Sequence, residues 1–156
     1  MRYTTFTVGL ALVAAFSAGA LLSPFHRVGL SEAHAESVPL SAAVIDLSSI
    51  TYDQLAKTPY PDLRVRGLVA TDNATVGIQI GNVPKHIHPK TDEIQYIIEG
   101  SGSMWVGNER KDFKPGTLIV IPKGTAHAGS IVTSGPVKAI AIKIPPQPKD
   151  DTVMVD

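Results

Sequence analysis

Turn-forming residues divide the chain beyond residue 62 into short apolar segments, and this punctuation constrains the fold more than any other feature. Within the segments, apolar side chains alternate with others, as Val76, Ile78 and Ile80 do. A period of two residues indicates a strand, and we find no helical period in this part of the chain. Many short strands without helices between them predict an all-β fold, an antiparallel barrel or jelly roll.

The same pattern gives the order of the strands and turns. Strands are predicted over residues 63–70, 75–80, 93–99, 103–106, 118–121 and 137–144. Gly107 and Asn108 both tolerate positive φ, which favours a two-residue hairpin turn between strands. Further turns are predicted where glycine, proline, asparagine and aspartate concentrate, at residues 71–73, 81–84, 100–102, 115–116, 122–124 and 134–135.

Residues 36–62 are predicted to form an N-terminal arm in front of the barrel. The arm has a short apolar segment at residues 44–47, which predicts a strand. Thr51 and Gln54 have the spacing of a capping box, so a short helix is predicted over residues 52–57.

The barrel itself is predicted to span residues 63–146 as a single domain. No internal repeat is visible, and Pro145 and Pro146 end the ordered part. Residues 147–156 are mostly polar and are expected to be a loose C-terminal tail.

The first 35 residues have the pattern of a secretory signal peptide. Arg2 gives a positive start, residues 8–22 are apolar and uncharged, and Ala33 and Ala35 are small residues at the positions that signal peptidase reads. This apolar stretch of 15 residues is shorter than the roughly 20 that a membrane span needs. Its length favours a cleaved signal over the alternative of an uncleaved anchor. We predict a periplasmic or secreted protein that begins near Glu36, without stable membrane insertion after processing.

The charge balance and the absence of cysteine exclude two kinds of chemistry. The 14 lysines and arginines are matched by 14 aspartates and glutamates, and the basic residues are scattered rather than grouped. Such a chain has no surface suited to a polyanion, so nucleic acid is not an expected partner. Without cysteine there is neither a disulfide nor a thiolate ligand.

Three of the five histidines lie near one carboxylate inside the predicted barrel. His86 and His88 are two residues apart, so in an extended chain their side chains point to the same face. Glu93 opens the next strand, and His127 follows the turn at residues 122–124. Three imidazole nitrogens and one carboxylate oxygen leave one or two positions of an octahedral ion open. The set predicts a working metal centre.

Each of these residues alone has an ordinary explanation, as a hydrogen-bonded histidine or a solvated strand glutamate. The joint pattern favours a divalent metal ion bound by His86, His88, Glu93 and His127. Manganese or iron is favoured because two open positions suit an octahedral ion, and zinc, nickel and copper are the alternatives.

The two segments that carry these residues resemble the sequence motifs of the cupin superfamily. Residues 81–100 read Gly-x4-His-x-His-x4-Glu-x6-Gly, and residues 116–127 read Gly-x5-Pro-x-Gly-x2-His. The first motif is one residue shorter than usual before His86, and Ile131 replaces the final asparagine of the second. The resemblance implies a single-domain, type 2 cupin β-barrel (jelly roll) of six to eight strands, with the same four residues as metal ligands.

The resemblance also directs the functional prediction. Residues 84–90 are similar to a segment of the germins, which are extracellular manganese cupins, some of which oxidise oxalate. This similarity implies a metal-dependent oxidoreductase, dioxygenase-like or oxalate-oxidising, that acts on a small polar molecule. The alternatives are a non-catalytic periplasmic protein that binds a small molecule or carbohydrate, a metal-dependent isomerase, and an interaction module that holds no metal. A homodimer is expected.

Residues beside the predicted ligands complete the expected site. Gln95 lies on the Glu93 face of its strand and is a candidate catalytic residue that hydrogen-bonds a metal-bound ligand. Regular alternation places Glu99 on that face too, and Tyr96 on the opposite one. Three lysines flank the ligand loops and would steer an anionic substrate toward the barrel, namely Lys85, Lys90 and Lys123.

Overall fold

The computed structural model describes residues 40–156, which contain nine strands and one short 3-10 helix, Tyr52–Gln54. The strands are β1 (Ala56–Lys57), β2 (Leu63–Ala70), β3 (Thr75–Gly81), β4 (His86–Ile87), β5 (Asp92–Val106), β6 (Glu109–Phe113), β7 (Leu118–Ile121), β8 (His127–Ile144) and β9 (Val153–Met154). Every pairing between them is antiparallel. The predicted all-β antiparallel fold is confirmed. The signal segment lies outside the described residues.

The two longest strands hold the sheet together. β8 pairs with β3, β4 and β5, and β5 pairs in turn with β6 and β7. At the outer edge, β2 lies between β1 and β3, while β9 pairs with the free side of β4. The curled sheet thus brings β4 and the start of β8 next to each other. Within residues 40–156 no helix has the length and hydrophobicity needed to cross a membrane.

The turns predicted at residues 100–102 and 134–135 are wrong, because β5 and β8 run through both positions. Gly100 (φ +85°) and Gly135 (φ +136°) lie against each other where the two paired strands bend. A Cβ on Gly100 would come within 2.7 Å of the Pro136 carbonyl oxygen, and one on Gly135 within 2.9 Å of the Gly100 Cα. The glycines permit a bend and a close approach, which the sequence does not distinguish from a chain reversal.

The close contact between Gly100 and Gly135 predicts that two glycine substitutions differ in their effect on stability. Gly107 also has positive φ (+67°), in the hairpin turn that the sequence predicted, but a Cβ there would meet nothing within 4 Å. Gly107→Ala should therefore cost only the left-handed backbone conformation, about 1–2 kcal/mol of unfolding free energy. Gly100→Ala adds a clash with backbone and should cost roughly 1–3 kcal/mol more. Denaturant unfolding of both variants measures the difference, and equal losses would contradict this explanation.

The N-terminal arm contains less regular structure than expected. The strand predicted at residues 44–47 is wrong: Val44 is fully exposed, and the Asp46 carboxylate accepts hydrogen bonds from the Ser48 N–H (2.9 Å) and hydroxyl (2.6 Å). This local turn satisfies the Ser48 N–H, and within the described residues no strand pairs with residues 44–47.

The helix predicted over residues 52–57 is confined to Tyr52–Gln54. The Gln54 side chain does accept a hydrogen bond from the Thr51 N–H (2.9 Å), as the predicted capping box requires. The chain then leaves the helix because Ala56–Lys57 pairs with β2 as β1.

Two apolar clusters form the core. One consists of residues from β5 to β8, namely Ile97, Met104, Phe113, Ile119, Ile121 and Ala139. The other joins the arm to β3 and consists of Ile50, Leu55, Ile78 and Ile80. On β5 the buried face runs from Glu93 through Gln95 to Ile97 and so leads from polar groups into the first cluster.

The alternation on β5 ends at a register shift between Ile97 and Glu99. The prediction that Glu99 shares the Glu93 face is therefore wrong. Glu99 is exposed, and its carboxylate pairs with the Lys138 ammonium at 2.6 Å. Tyr96 is exposed on the opposite face, as predicted.

The C-terminal residues are not the loose tail that their composition suggested. Val153–Met154 forms β9 and pairs with β4, so that it covers the edge of that strand. Asp151 is completely buried, and its carboxylate accepts a hydrogen bond from the Lys90 N–H (2.8 Å). Backbone pairing holds this segment, and a polar sequence gives little sign of such pairing.

Apolar side chains remain exposed on the outer face of the sheet. Tyr96 pairs with Leu118, and both are about half exposed or more, as is the nearby Val120. A second copy of the chain would cover such a face. The homodimer stays a prediction.

Candidate metal centre

Neighbouring strands bring the predicted ligands together. His86 on β4 is the register partner of His127 at the start of β8, and their ring centroids lie 4.3 Å apart. The His88 carbonyl accepts a hydrogen bond from the Gly124 N–H (2.8 Å), so the Pro122 turn fastens the two ligand segments to each other. Glu93 enters from β5, on the other side of β8.

A residue with positive φ lies beside each histidine segment, Gly81 before His86 and Ala128 after His127. Gly81 (φ +120°) ends β3, and a Cβ there would lie 1.7 Å from the Asp62 carbonyl oxygen. Ala128 is left-handed (φ 70°) although it is not glycine. Ala128 directly follows His127, and its left-handed conformation costs about 1–2 kcal/mol.

All four side chains converge on one point and are almost completely buried. The Nε2 atoms of His86 and His88 are 3.3 Å apart. The Glu93 Oε2 lies 3.3 Å from the His88 Nε2 and 3.2 Å from the His127 Nε2. The donor atoms of the three histidines all lie within 4.8 Å of one another. Donors around one ion at about 2.0–2.2 Å are separated by roughly 3–4 Å, which is close to this spacing.

The hydrogen bonds of the three rings fix which nitrogen faces the centre. Each Nδ1 lies beside a backbone carbonyl: Pro84 for His86 (2.8 Å), Asp151 for His88 (2.6 Å) and Thr125 for His127 (2.9 Å). A carbonyl only accepts, so each Nδ1 must carry the proton and donate it. In a neutral ring the Nε2 then presents a lone pair, and all three lone pairs point inward.

Lone pairs and a carboxylate that face each other attract a cation. The His127 Nε2 is buried and has no hydrogen-bond partner among the described residues. An unsatisfied buried nitrogen is costly, and a divalent ion would satisfy it together with the other three donors. The donor set of three imidazoles and one carboxylate thus fits manganese, iron, zinc, nickel or copper, and the assignment of the four as metal ligands stays a prediction.

Lys143 is a member of this site that the sequence reading missed. Its Nζ lies 2.5 Å from the Glu93 Oε2 and 2.8 Å from the His88 Nε2, and its side chain is 15% exposed. The available signal was a lysine within the apolar strand predicted at residues 137–144. A charged residue there indicates a partner across the sheet, but not which one.

The pKa values follow from this crowding. Burial is the main reason that the pKa of His86 falls to about 4, so the ring is neutral at pH 7. Burial by itself would raise the pKa of Glu93, but the Lys143 ammonium beside its Oε2 contributes to holding that pKa well below its usual range. Burial also lowers the pKa of Lys143, against the opposing effect of the Glu93 carboxylate.

Acid should destabilise the metal-free protein in a defined window. Between pH 6.5 and about 4 the unfolded chain binds a proton at His86 that the folded chain does not, so stability falls as the pH drops. Glu93 acts in the same direction at lower pH, because its ionised form is favoured in the folded state. We expect the melting temperature in chelator to fall from pH 7 to pH 4.5, and to fall less in His86→Asn. The same slope in both proteins would contradict the assignment to His86.

Gln95 supports the carboxylate ligand. Its Nε2 donates a hydrogen bond to the Glu93 Oε1 (2.8 Å), and this leaves Oε2 as the oxygen that faces the rings. Gln95 is buried and lies on the Glu93 face, as predicted. Its predicted role as a catalytic residue that contacts a metal-bound ligand stays a prediction.

A cavity of about 580 Å³ adjoins the centre, within the usual size range of small-molecule pockets. Five residues of the site line it, namely His86, His88, Glu93, Gln95 and Lys143. Much of the remaining wall comes from β2 and β3 and includes Val65, Val76 and Ile78. The C-terminal segment contributes Gln147, Lys149 and Thr152.

The three lysines predicted to steer an anion are placed differently from expectation. None of them lines the cavity. The Lys85 Nζ donates to the Asp156 carbonyl (2.5 Å) and lies over the Trp105 ring, and Lys90 pairs with Asp150 at 3.4 Å on the surface. The cationic groups that do line the cavity are Arg66, Lys143 and Lys149.

Comparisons with known proteins agree with the geometry. Residues 76–143 match the family described as the cupin domain. The uncharacterized protein MJ1618 of Methanocaldococcus jannaschii is 35% identical over 71 residues, which are 46% of this chain and 57% of that protein. The chain thus spans little more than half the length of this relative.

Similar solved structures show the fold. Streptomyces PAC13, determined with uridine, is 14% identical with a TM-score of 0.57, over 68% of this chain and 88% of that one. KdgF from Halomonas sp. is 19% identical with a TM-score of 0.52, over 61% and 87%. A Klebsiella pneumoniae protein with a double-stranded β-helix domain is 16% identical with a TM-score of 0.53, over 74% and 99%.

Proposed function

Since residues 76–143 of this chain are a cupin domain, as the histidine motifs predicted, we propose that the protein is a metal-dependent oxidoreductase of dioxygenase-like or oxalate-oxidising type. One observation carries the proposal: three inward-facing Nε2 atoms and the Glu93 carboxylate meet at the wall of a cavity large enough for a small molecule. His86, His88 and Glu93 line that cavity, whereas His127 does not. A metal held by these four would therefore be reached from the cavity side.

The chain's own residues prepare the site for such an ion. The three histidines and Glu93 would hold it, and when bound, manganese or iron supplies Lewis-acid and one-electron redox chemistry. The backbone carbonyls at the Nδ1 atoms keep each ring in the ligand tautomer and orientation. Gln95 fixes the Glu93 carboxylate through Oε1, and the apolar wall from β2 and β3 limits water around a bound substrate.

Pac13 is described as a nucleoside dehydratase and has the same fold, so a barrel of this fold is not restricted to oxidation. The test must therefore separate oxidation from redox-neutral chemistry and from binding alone.

Oxygen uptake by metal-loaded protein tests the proposed function. Protein loaded with Mn(II) or Fe(II) is incubated in an oxygen electrode with oxalate and a panel of small carboxylates and diketones. We expect oxygen consumption that requires the metal and is lost in Glu93→Gln. Product formation without oxygen consumption would contradict an oxidase and support an isomerase or a dehydratase. A loaded protein that retains a compound without altering it would support the non-catalytic binding protein.

We also propose that the protein is exported and that the mature chain begins near Glu36. The support is the sequence pattern of residues 1–35. The intact mass of protein recovered from the periplasm or the medium should correspond to a chain starting near Glu36. A full-length mass in the membrane fraction would support the uncleaved anchor instead.

A further inference from the structure

Lys143 would lose its two contacts in the site when a metal ion is bound. Its ammonium contacts the Glu93 Oε2 and the His88 Nε2, which are two of the atoms predicted to bind the ion. Like charges at this distance repel strongly in a buried site, so a divalent ion and the ammonium would not share these two atoms. Because Lys143 also lines the cavity, its ammonium would then turn to an anion inside that cavity.

The charges around the cavity favour an anionic occupant. Glu93 is the only acidic side chain among its lining residues, all of which lie in the described part of the chain, and this carboxylate is assigned to the ion. The basic lining residues are Lys143, which is mostly buried, and the exposed Arg66 and Lys149. Within residues 40–156, neither Arg66 nor Lys149 has an acidic group within 4 Å. The cavity thus carries an excess of positive charge before any metal enters.

The rest of the cavity wall is mostly apolar. Val65 and Val69 of β2 line it together with Val76 and Ile78 of β3 and Ala141 of β8. Such side chains gain from burying a hydrocarbon group but provide no partner for a second charged group. The wall therefore fits a ligand with an anionic end at Lys143 and an apolar body against these side chains.

We propose that the cavity binds a small carboxylate with an apolar body and that Lys143 donates a hydrogen bond to the carboxylate beside the metal. This inference rests on the proposed function for the metal ion and favours its dioxygenase-like form over the oxalate-oxidising one. It narrows the substrate class from small polar molecules to amphipathic carboxylates. It makes Lys143 a substrate-binding residue.

A pair of matched probes tests the proposal by calorimetry on the metal-loaded full-length protein. Hexanoate and hexanamide have the same length and nearly the same shape, but only hexanoate is charged. We expect hexanoate to bind about 10-fold to 100-fold more tightly, the range for a hydrogen bond between charged groups. Lys143→Met should remove most of this preference, because it should weaken hexanoate binding far more than hexanamide binding. Lys143→Arg should restore part of it.

The control is Lys123→Met, an exposed lysine that does not line the cavity and should keep the full preference. If Lys143→Met does not fold, the double variant Arg66→Met and Lys149→Met changes only exposed residues. It should weaken hexanoate binding several-fold at low salt and have little effect at high salt. Equal binding of both probes, binding of neither at millimolar concentration, or an unchanged preference in Lys143→Met would overturn the proposal.

Metal analysis of the same samples separates this inference from the proposed function. A wild-type protein that holds one ion but shows no preference for hexanoate would overturn the role of Lys143 alone. A protein that holds no ion would overturn the proposed function, whatever its preference between the two probes.

Discussion

Replacing His88 by alanine is expected to empty the metal centre and to lower the melting temperature of the metal-loaded protein. The His88 Nε2 is the donor that lies within 3.3 Å of both the His86 Nε2 and the Glu93 Oε2. Even residues that only orient a metal ligand contribute about 10-fold to 100-fold to affinity, so loss of a ligand should cost more than about 100-fold. Elemental analysis and thermal unfolding with and without a chelator measure the two effects.

The matched control is Glu109→Ala, which removes an exposed acidic residue that pairs with Lys111 on β6. This variant should keep the wild-type metal content and the wild-type response to the chelator. The His88→Ala variant should melt at the same temperature with and without chelator, because it has no bound metal to lose. Unchanged metal content in His88→Ala would contradict the assignment of His88 as a ligand.

Removing residues 148–156 should weaken metal binding by about 10-fold to 100-fold. The deletion takes away the Asp151 carbonyl that accepts the His88 Nδ1–H at 2.6 Å. It also removes β9 from the edge of β4, and with it the backbone pairing between His86 and Met154. Both ligands on the β4 segment would then lose the groups that orient them. Competition with a chelator of known affinity measures the change.

The control for the truncation is Asp150→Ala, since Asp150 is in the same segment but makes only an exposed ion pair with Lys90. Exposed pairs contribute about 0–1 kcal/mol, so this variant should bind metal like the wild type. A truncated protein with unchanged metal affinity would contradict this role of the C-terminal segment. It would instead agree with the loose tail that the sequence predicted.

The four predicted ligands were accessible from the sequence because each lies in a local pattern that fixes its direction. His86 and His88 follow the two-residue period, Glu93 begins a strand, and His127 follows a proline-glycine turn. Such patterns give the face of a side chain and the place of a chain reversal. The structure brings all four to one point.

Lys143 and Asp151 were not accessible in this way because their roles depend on the register between distant segments. Lys143 faces Glu93 because the two are register partners on β8 and β5, about fifty positions apart. Asp151 reaches His88 because β9 pairs with β4. Neither pairing follows from composition, and a polar segment is more often solvated than buried.

The errors at Gly100 and Gly135 have a different cause. Glycine with positive φ serves both a tight turn and a bend between closely paired strands, and the glycine alone does not distinguish the two. Gly107 forms a hairpin turn and Gly100 does not, although both have positive φ; backbone packs against Gly100, whereas a Cβ on Gly107 would meet nothing within 4 Å. Strand length was therefore underestimated for β5 and β8, while β2 and β7 have the predicted bounds.

A crystal structure of the metal-loaded protein, with anomalous diffraction recorded at the absorption edge of the ion, tests the metal centre most directly. We expect one strong peak bound at about 2.0–2.2 Å by the Nε2 atoms of three histidines and by one carboxylate oxygen. The histidines are His86, His88 and His127, and the oxygen is Oε2 of Glu93. A peak that any of these four does not contact, or a ring bound through Nδ1, would contradict the arrangement described for this site.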